Sequence, residues 1–490
     1  MRVPVPPIEL RGHADHLPGA GVAVPADVLE RLAATAPTTT DGSATAEASR
    51  DWWPLAMHWA LAGEVPRRAA AVCRPATVEQ VAEVVRICAA ARIPLTVAGG
   101  RSGVCGASVP ACGGIVVDLT GLTGVVAVDV PSGIVEVLAG TFGPDLEAEL
   151  ATHGLSVGHF PQSFDIATVG GWVACRGAGQ YSTRYGKIDE MVAGLEVVLA
   201  DGAVIRTGVA PAAATGPDLG RLFLGAEGTL GIVTRAWLRA HPLPPAERRA
   251  AYAFASFADG IDACRRILQR GATPAVLRLY DEVESQRGHD GDGRDHVLLV
   301  LDEGDPAIVD ATMAVVAEAC AAARPADVAL VERWLAHRND TSALQALTHK
   351  GFVVDTLEVA VPWSRLVDVF EEACAALRAV PHARVASCHL SHSYPDGACL
   401  YFTFAATPPP ADVESTYVAL WDAGQRAVLA AGGNLSHHHG VGLNRARFMA
   451  EALGGQLAVL QAVKDALDPL GILNPGKLGL RHPFEDVGWP

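Results

Sequence analysis

Residues 158–202 read GHFPQSFDIATVGGWVACRGAGQYSTRYGKIDEMVAGLEVVLADG. The stretch begins in glycines and small residues and closes on a clear strand, GLEVVLADG. Its centre, DIATVGGWVACRGAG, reads as a small-residue loop. RGAGQYS, 176–182, resembles GxGxxG but ends in serine, and VGGWVAC makes a poor buried strand before it, so a Rossmann site is not indicated. AGGRSGVCG, 98–106, follows the strand IPLTV. There Gly99, Gly100, Gly103 and Gly106 would let backbone N–H groups curl into an anion-binding nest, although a plain glycine-rich turn fits too. AEGTLGIVT, 226–234, is a third loop of this kind, leading into a strand. Three such loops suggest a long ligand lying against bare backbone.

Around these loops the chain alternates elements. AAAVCRP is a short apolar strand. TVEQVAEVVRICAAAR is a helix opened by a capping box from Thr77 to Gln80, with Val78, Val81, Val85 and Cys88 at helical spacing. GGIVVDL, TGVVAVDV and GIVEVLAGT read as a meander, and PDLEAELATHG as the helix after it. From about residue 245 to 430, helices within SFADGIDACRRILQRG, PAIVDATMAVVAEACAAARP and SRLVDVFEEACAALRAV alternate with strands VLLVLD, FVVDTLEVAVP and CLYFTFAATP. The expected fold class is α+β, with a second α/β unit whose sheet is mostly antiparallel. The expected divisions are 1–68, 69–243, 244–430 and 431–490. In the first, TTTDGSATAEAS looks like a loop, and Trp52, Trp53 and Trp59 should pack on something larger.

At 490 residues, two or three domains are expected. The net charge of −16 argues against a nucleic-acid partner. The start MRVPVPPIELRGHADH lacks the apolar core of a signal peptide, and no run of 18 apolar residues appears, so a cytoplasmic protein with no transmembrane segment is the expectation. Ten scattered cysteines without a CxxC pair read as buried hydrophobes. GILNPGKL, 471–478, nearly fits a P-loop, but Leu478 lacks the magnesium-binding hydroxyl. NLSHHHGVGL, 434–443, sets three imidazoles beside a glycine bend, for a metal, a proton-transfer chain or packing.

Read together, the 158–202 stretch, LGAEGTLGIVT, PAVLRLYD, DTLEVAVPWSR, GACLYFTFA, SHHHGVG and DPLGILNPGK closely resemble the FAD-binding PCMH-type enzymes of the vanillyl-alcohol oxidase superfamily, and among them alkyldihydroxyacetone-phosphate synthase and its bacterial relatives. The resemblance covers roughly residues 50 to 480. It implies a two-subdomain FAD domain, formed by 69–243 and the chain's end, with a substrate cap at about 245–430. FAD would be cradled by Ala98, Gly99, Gly100, Arg101, Ser102, Gly103 and Val104 on one side. Asp165, Thr168, Gly170, Gly171, Ala174 and Gly177 would hold the other, with Glu227, Gly228 and Ile232 along its length. Some relatives tether FAD through a histidine after paired glycines; Arg101 stands there, which implies non-covalent FAD.

The same resemblance assigns a catalytic group of Tyr401, His437, His438, His439 and Arg278. The implied reaction exchanges the acyl group of acyl-dihydroxyacetone phosphate for a fatty alcohol, through a covalent flavin adduct and without net redox. That chemistry needs an acid–base group near neutrality and cations for carboxylate and phosphate. If the histidine row were extended, His437 and His439 would share one side and His438 the other. Many synthases carry a lysine after HHHGVG; here Leu443 stands there, with Arg445 two positions on. The competing reading is an FAD-linked oxidoreductase for a 2-hydroxy acid, alcohol or phenol. Its metal-dependent members carry histidines on both sides of a GDGN-like turn. Here His389 and His392 precede the turn and none follows, so no metal is expected. A flavin-binding protein without catalysis is the third reading. The substrate would be a small or lipid-derived molecule. A homodimer and peripheral membrane contact are compatible with all three.

Overall fold

In a computed structural model, residue 6 and residues 8–489 are described, except 290, 341 and 486. The helix Val78–Ala91 starts where Thr77 Oγ1 accepts from the Gln80 N–H at 3.2 Å, while Gln80 reaches back to the Ala76 N–H at 2.8 Å. It joins Ala71–Cys73 to Leu95–Ala98, both parallel to Ile115–Asp118, which lies between them. The expected three-strand meander therefore does not form. Ile115–Asp118 is buried along its whole length, as a parallel strand requires, and stays in this four-stranded sheet. Val125–Asp129 and Ile134–Leu138 instead join a second, antiparallel sheet with Ile232–Arg239, Val192–Val198 and Val204–Gly208.

Two presumed loops are helical. Asp41 caps Gly42–Ala48, accepting from the Ala44 N–H at 2.8 Å. VGGWVAC forms the helix Val169–Cys175, begun by Thr168 and ended by Arg176 in the left-handed region. Its glycines serve packing: a Cβ at Gly170 would stand 2.9 Å from the Ala139 methyl.

The seven-stranded sheet runs Arg324–Pro325, Ala246–Phe254, His296–Gly304, Val276–Tyr280, Ala383–Ser393, Gly397–Ala406, Val353–Pro362, antiparallel throughout. Alternation decides what each face does. Leu277, Leu279, Cys388, Leu390, Leu400 and Phe402 share a core with residues of the helices Phe257–Gln269, Leu366–Arg378 and Val413–Ala431. Their neighbours Arg278, Tyr280, His389, Ser391, Tyr401 and Thr403 therefore project from the other face. That polar face carries the site.

The segment before residue 69 is tied to the large sheet. Trp53 is fully buried, donates its indole N–H to the Tyr417 hydroxyl at 2.8 Å, and meets Trp59 edge-on at 5.1 Å. All ten cysteines are free, and nine are buried. Among the described residues no helix is long and apolar enough to cross a membrane.

Candidate active site

A cavity of about 550 Å³ separates the glycine loops from the polar face of the large sheet. On the loop side, a Cβ at Gly99 would stand 2.2 Å from Thr168 Oγ1, and one at Gly100 only 2.0 Å from the Ile166 carbonyl. The two loops therefore meet as bare backbone, which fits a long anionic ligand held by N–H groups. Every residue expected around FAD lines this cavity except Ala98, which is buried in its strand, and Asp165, which is exposed. The Arg101 side chain is buried, 3.8 Å from Asp118. Unpartnered buried polar atoms also border the cavity: both ring nitrogens of His159 and the indole nitrogen of Trp172. Burial pushes His159 down to about 3, so the ring is neutral, and it packs 4.6 Å from Trp172. His159 sits inside the 158–202 stretch, but a lone histidine after glycine carries no pattern in the sequence.

The histidine row is a turn gripped from both sides by buried carboxylates. Glu358 Oε1, on Val353–Pro362, accepts from the Ser436 hydroxyl at 2.6 Å and the N–H groups of His438 and His439 at 3.1 and 2.8 Å. Glu227 accepts from the N–H groups of Val441 and Gly442, at 2.5 and 2.9 Å. Gly440 and Gly442 take positive φ, and a Gly442 Cβ would stand 2.1 Å from the Cys105 carbonyl. Because the row bends, the alternation expected of an extended segment fails: His438 and His439 line the cavity together and His437 does not. His437 Nε2 pairs with the Tyr394 hydroxyl at 2.7 Å and its Nδ1 with His438 Nδ1 at 2.8 Å, while the Lys187 ammonium donates to its carbonyl. Arg445 does not reach the cavity. It is fully buried and donates to Glu358 and to the Leu435 carbonyl. Although burial opposes ionisation, Arg445 and His439 hold Glu358 well below the usual carboxylate range.

Two glutamate–histidine pairs flank Tyr401. His439 Nδ1 lies 3.0 Å from Glu358 Oε2. His389 Nδ1 lies 2.8 Å from Glu284 Oε2, and its ring stacks 4.9 Å from Tyr401. The Tyr401 hydroxyl donates to Thr356 Oγ1 at 3.2 Å, and burial raises its pKa. Arg278 reaches His389 Nε2 at 2.6 Å and the Tyr280 hydroxyl at 3.1 Å. The imidazole must then accept at Nε2, with its proton on Nδ1. Arg338 donates to the side-chain Oε1 of Gln180 at 3.2 Å, and its guanidinium lies 5.7 Å from the Trp334 ring; that of Arg278 lies 5.5 Å from the same ring. Glu358, Glu284, His389 and Arg338 complete the group. In sequence the only sign of Glu358 is a carboxylate inside an apolar strand. His392, His437 and His438 bring one nitrogen each within 4.8 Å, a set a divalent ion could bridge.

Residues 69–208 match the model of an FAD binding domain, and residues 243–478 that of the C-terminal domain of FAD linked oxidases. Over 438 residues the chain is 31% identical to the uncharacterized FAD-linked oxidoreductase YgcU of Escherichia coli K12, covering 85% of this chain and 89% of that one. The chain belongs to the FAD-linked oxidase family. FAD is its cofactor. Alkyldihydroxyacetonephosphate synthase of Dictyostelium discoideum is 28% identical across 85% of this chain and 74% of its own. Glycolate oxidase subunit GlcD of Bacillus subtilis is 27% identical across 83% and 88%. A solved alkyldihydroxyacetonephosphate synthase superposes with a TM-score of 0.78 at 23% identity, covering 96% of this chain and 90% of its own, and so shares the fold.

Proposed function

We propose that this member of the family is an FAD-linked oxidoreductase acting on a small hydroxylated anion, such as a 2-hydroxy acid or a phosphorylated polyol. The observation that carries it is the pair Arg278 and Arg338. Among the described residues neither has a carboxylate partner at ion-pair distance, yet both border the cavity beside Trp334. Guanidiniums so placed suit a carboxylate or phosphate taken in bidentate fashion. The cavity's aliphatic side chains, among them Val97, Leu119, Ile166, Ile232 and Val233, lie on the FAD side. The opposite wall offers Thr356, Thr403, Glu284, His389 and the arginines among the aromatic rings of Tyr280, Trp334 and Tyr401, a mixed surface that suits a hydroxylated anion.

Bound FAD, held by the 98–104 and 168–177 backbone with Glu227, Gly228 and Ile232 alongside, supplies a two-electron acceptor. The arginines fix the anion. His439 takes the hydroxyl proton at Nε2, and Glu358, at ion-pair distance from Nδ1, steadies the imidazolium that forms. On binding, the Tyr401 hydroxyl turns from Thr356 to donate to the same oxygen. His438 and His437 hold the rings in place.

The match of Tyr401 and the histidine row to the synthases supports a second reading: exchange of acyl for alkoxide on dihydroxyacetone phosphate without net redox. One anaerobic experiment separates the two. Holoenzyme is mixed with a panel of 2-hydroxy acids and phosphorylated polyols, and separately with acyl-dihydroxyacetone phosphate and labelled hexadecanol. Bleaching of the flavin with formation of a keto product supports the first reading. Labelled ether lipid with the flavin left oxidised supports the exchange, and the absence of both products would sink both readings.

A further inference from the structure

We infer that Asp51 is a ligand of FAD, a carboxylate brought to the cofactor by a segment that lies before the matched FAD-binding region. Asp51 is only 1% exposed. Its Oδ1 accepts from the Trp53 N–H at 3.0 Å, while Oδ2 is buried with no partner. That oxygen stands 3.6 Å from where a Cβ of Gly103 would be, and Asp51, Trp52, Gly103 and Val104 all line the cavity. The segment is fastened there by the Trp52 N–H, which donates to the Gly103 carbonyl at 2.8 Å.

A carboxylate oxygen taken out of water without a partner is costly, so the site is built for a donor. Burial pushes the Asp51 carboxyl up to about 7, while the Trp53 N–H, the buried Lys477 ammonium and the nearby Gly106 N–H work the other way and favour the charged form. Lys477 donates to the Val109 carbonyl at 2.7 Å and makes no hydrogen bond to Oδ2. FAD beside a glycine nest offers two kinds of group. Its phosphates are anionic acceptors and repel a carboxylate; the hydroxyls of its ribose and ribityl chain are donors. Asp51 Oδ2 accepts a hydrogen bond from one of those hydroxyls, as an acidic side chain does for ribose in other dinucleotide sites.

The test is FAD affinity, read by quenching of flavin fluorescence as FAD is titrated into apoprotein. Asp51→Asn keeps an oxygen for the Trp53 N–H but replaces a charge-assisted acceptor, and should raise Kd about tenfold. Asp51→Leu should raise it further. The urea midpoint of Asp51→Asn apoprotein should match the native one. Kd within twofold of native in both variants overturns the inference. So does a rise in Kd accompanied by an equal loss of apoprotein stability, which would make Asp51 a structural residue. Native FAD binding is measured alongside, so loss of the assignment is distinct from loss of the cofactor.

Discussion

At the scale of single residues, Glu358 governs the site although it does not line the cavity. Its two oxygens hold Arg445, Ser436, His439 and two backbone N–H groups, with Glu358 and Arg445 both fully buried. Removing one partner of such a pair leaves the other charge stranded, so Glu358→Gln should cost roughly 3–5 kcal/mol in urea unfolding. The pH dependence has a definite sign. The folded pKa lies below the unfolded value of about 4.3, so the stabilisation is complete above that value and is lost as pH falls toward the depressed one. Native protein should therefore lose stability over that acid range, and Glu358→Gln should flatten that limb of the profile. The reacting residues respond differently. Tyr401→Phe gives up one hydrogen bond to Thr356, and His439→Gln one contact with Glu358. Both should keep FAD while kcat falls at least roughly a hundredfold. Turnover within a few-fold of native would remove them from the proton chemistry.

At the scale of elements, the turn at 436–442 is held by carboxylates from two different sheets' surroundings, and its shape depends on Gly442. There φ is +55° and a Cβ would collide with the Cys105 carbonyl. Gly154 also has positive φ, at +70°, but faces open space. Gly154→Ala should cost about 1–2 kcal/mol, the left-handed penalty alone. Gly442→Ala should cost more and also weaken FAD binding, since 442 is anchored on Glu227 and on the 98–106 loop; equal costs would mean the close approach carries no weight. The contrast explains what the sequence could and could not disclose. Helix Val78–Ala91 and three of the large sheet's seven strands, His296–Gly304, Val353–Pro362 and Gly397–Ala406, are written in local periodicity and were readable. VGGWVAC was not, because two glycines suppress helix propensity until Thr168, Arg176 and packing on Ala139 supply what local sequence lacks. His438 and His439 were legible as a row, but their common orientation depends on Glu358 and Glu227, 80 and more residues away in sequence.

Over the whole molecule, the cavity lies between loops from one half of the chain and a sheet face from the other. Arg101 occupies the position at which some relatives tether the flavin, so acid precipitation should release FAD into the supernatant; flavin remaining with the denatured chain would refute it. Coupling of the halves also runs through the first 68 residues. Trp53 bonds Tyr417, whose hydroxyl donates to Asp355 at 2.6 Å, and Trp421 donates to the same carboxylate at 3.0 Å. Asp355 lies three residues before Glu358 on the strand that faces the site, while the neighbouring Trp52 and Asp51 rest on the glycine loop. One short segment thus joins both walls of the cavity. Trp53→Ala should remove about 3–5 kcal/mol by opening a hole in this cluster. If the segment is a strut, the same change should also weaken FAD binding, although Trp53 is not among the residues lining the cavity. Destabilisation with unchanged FAD affinity would show that the two walls are held together elsewhere.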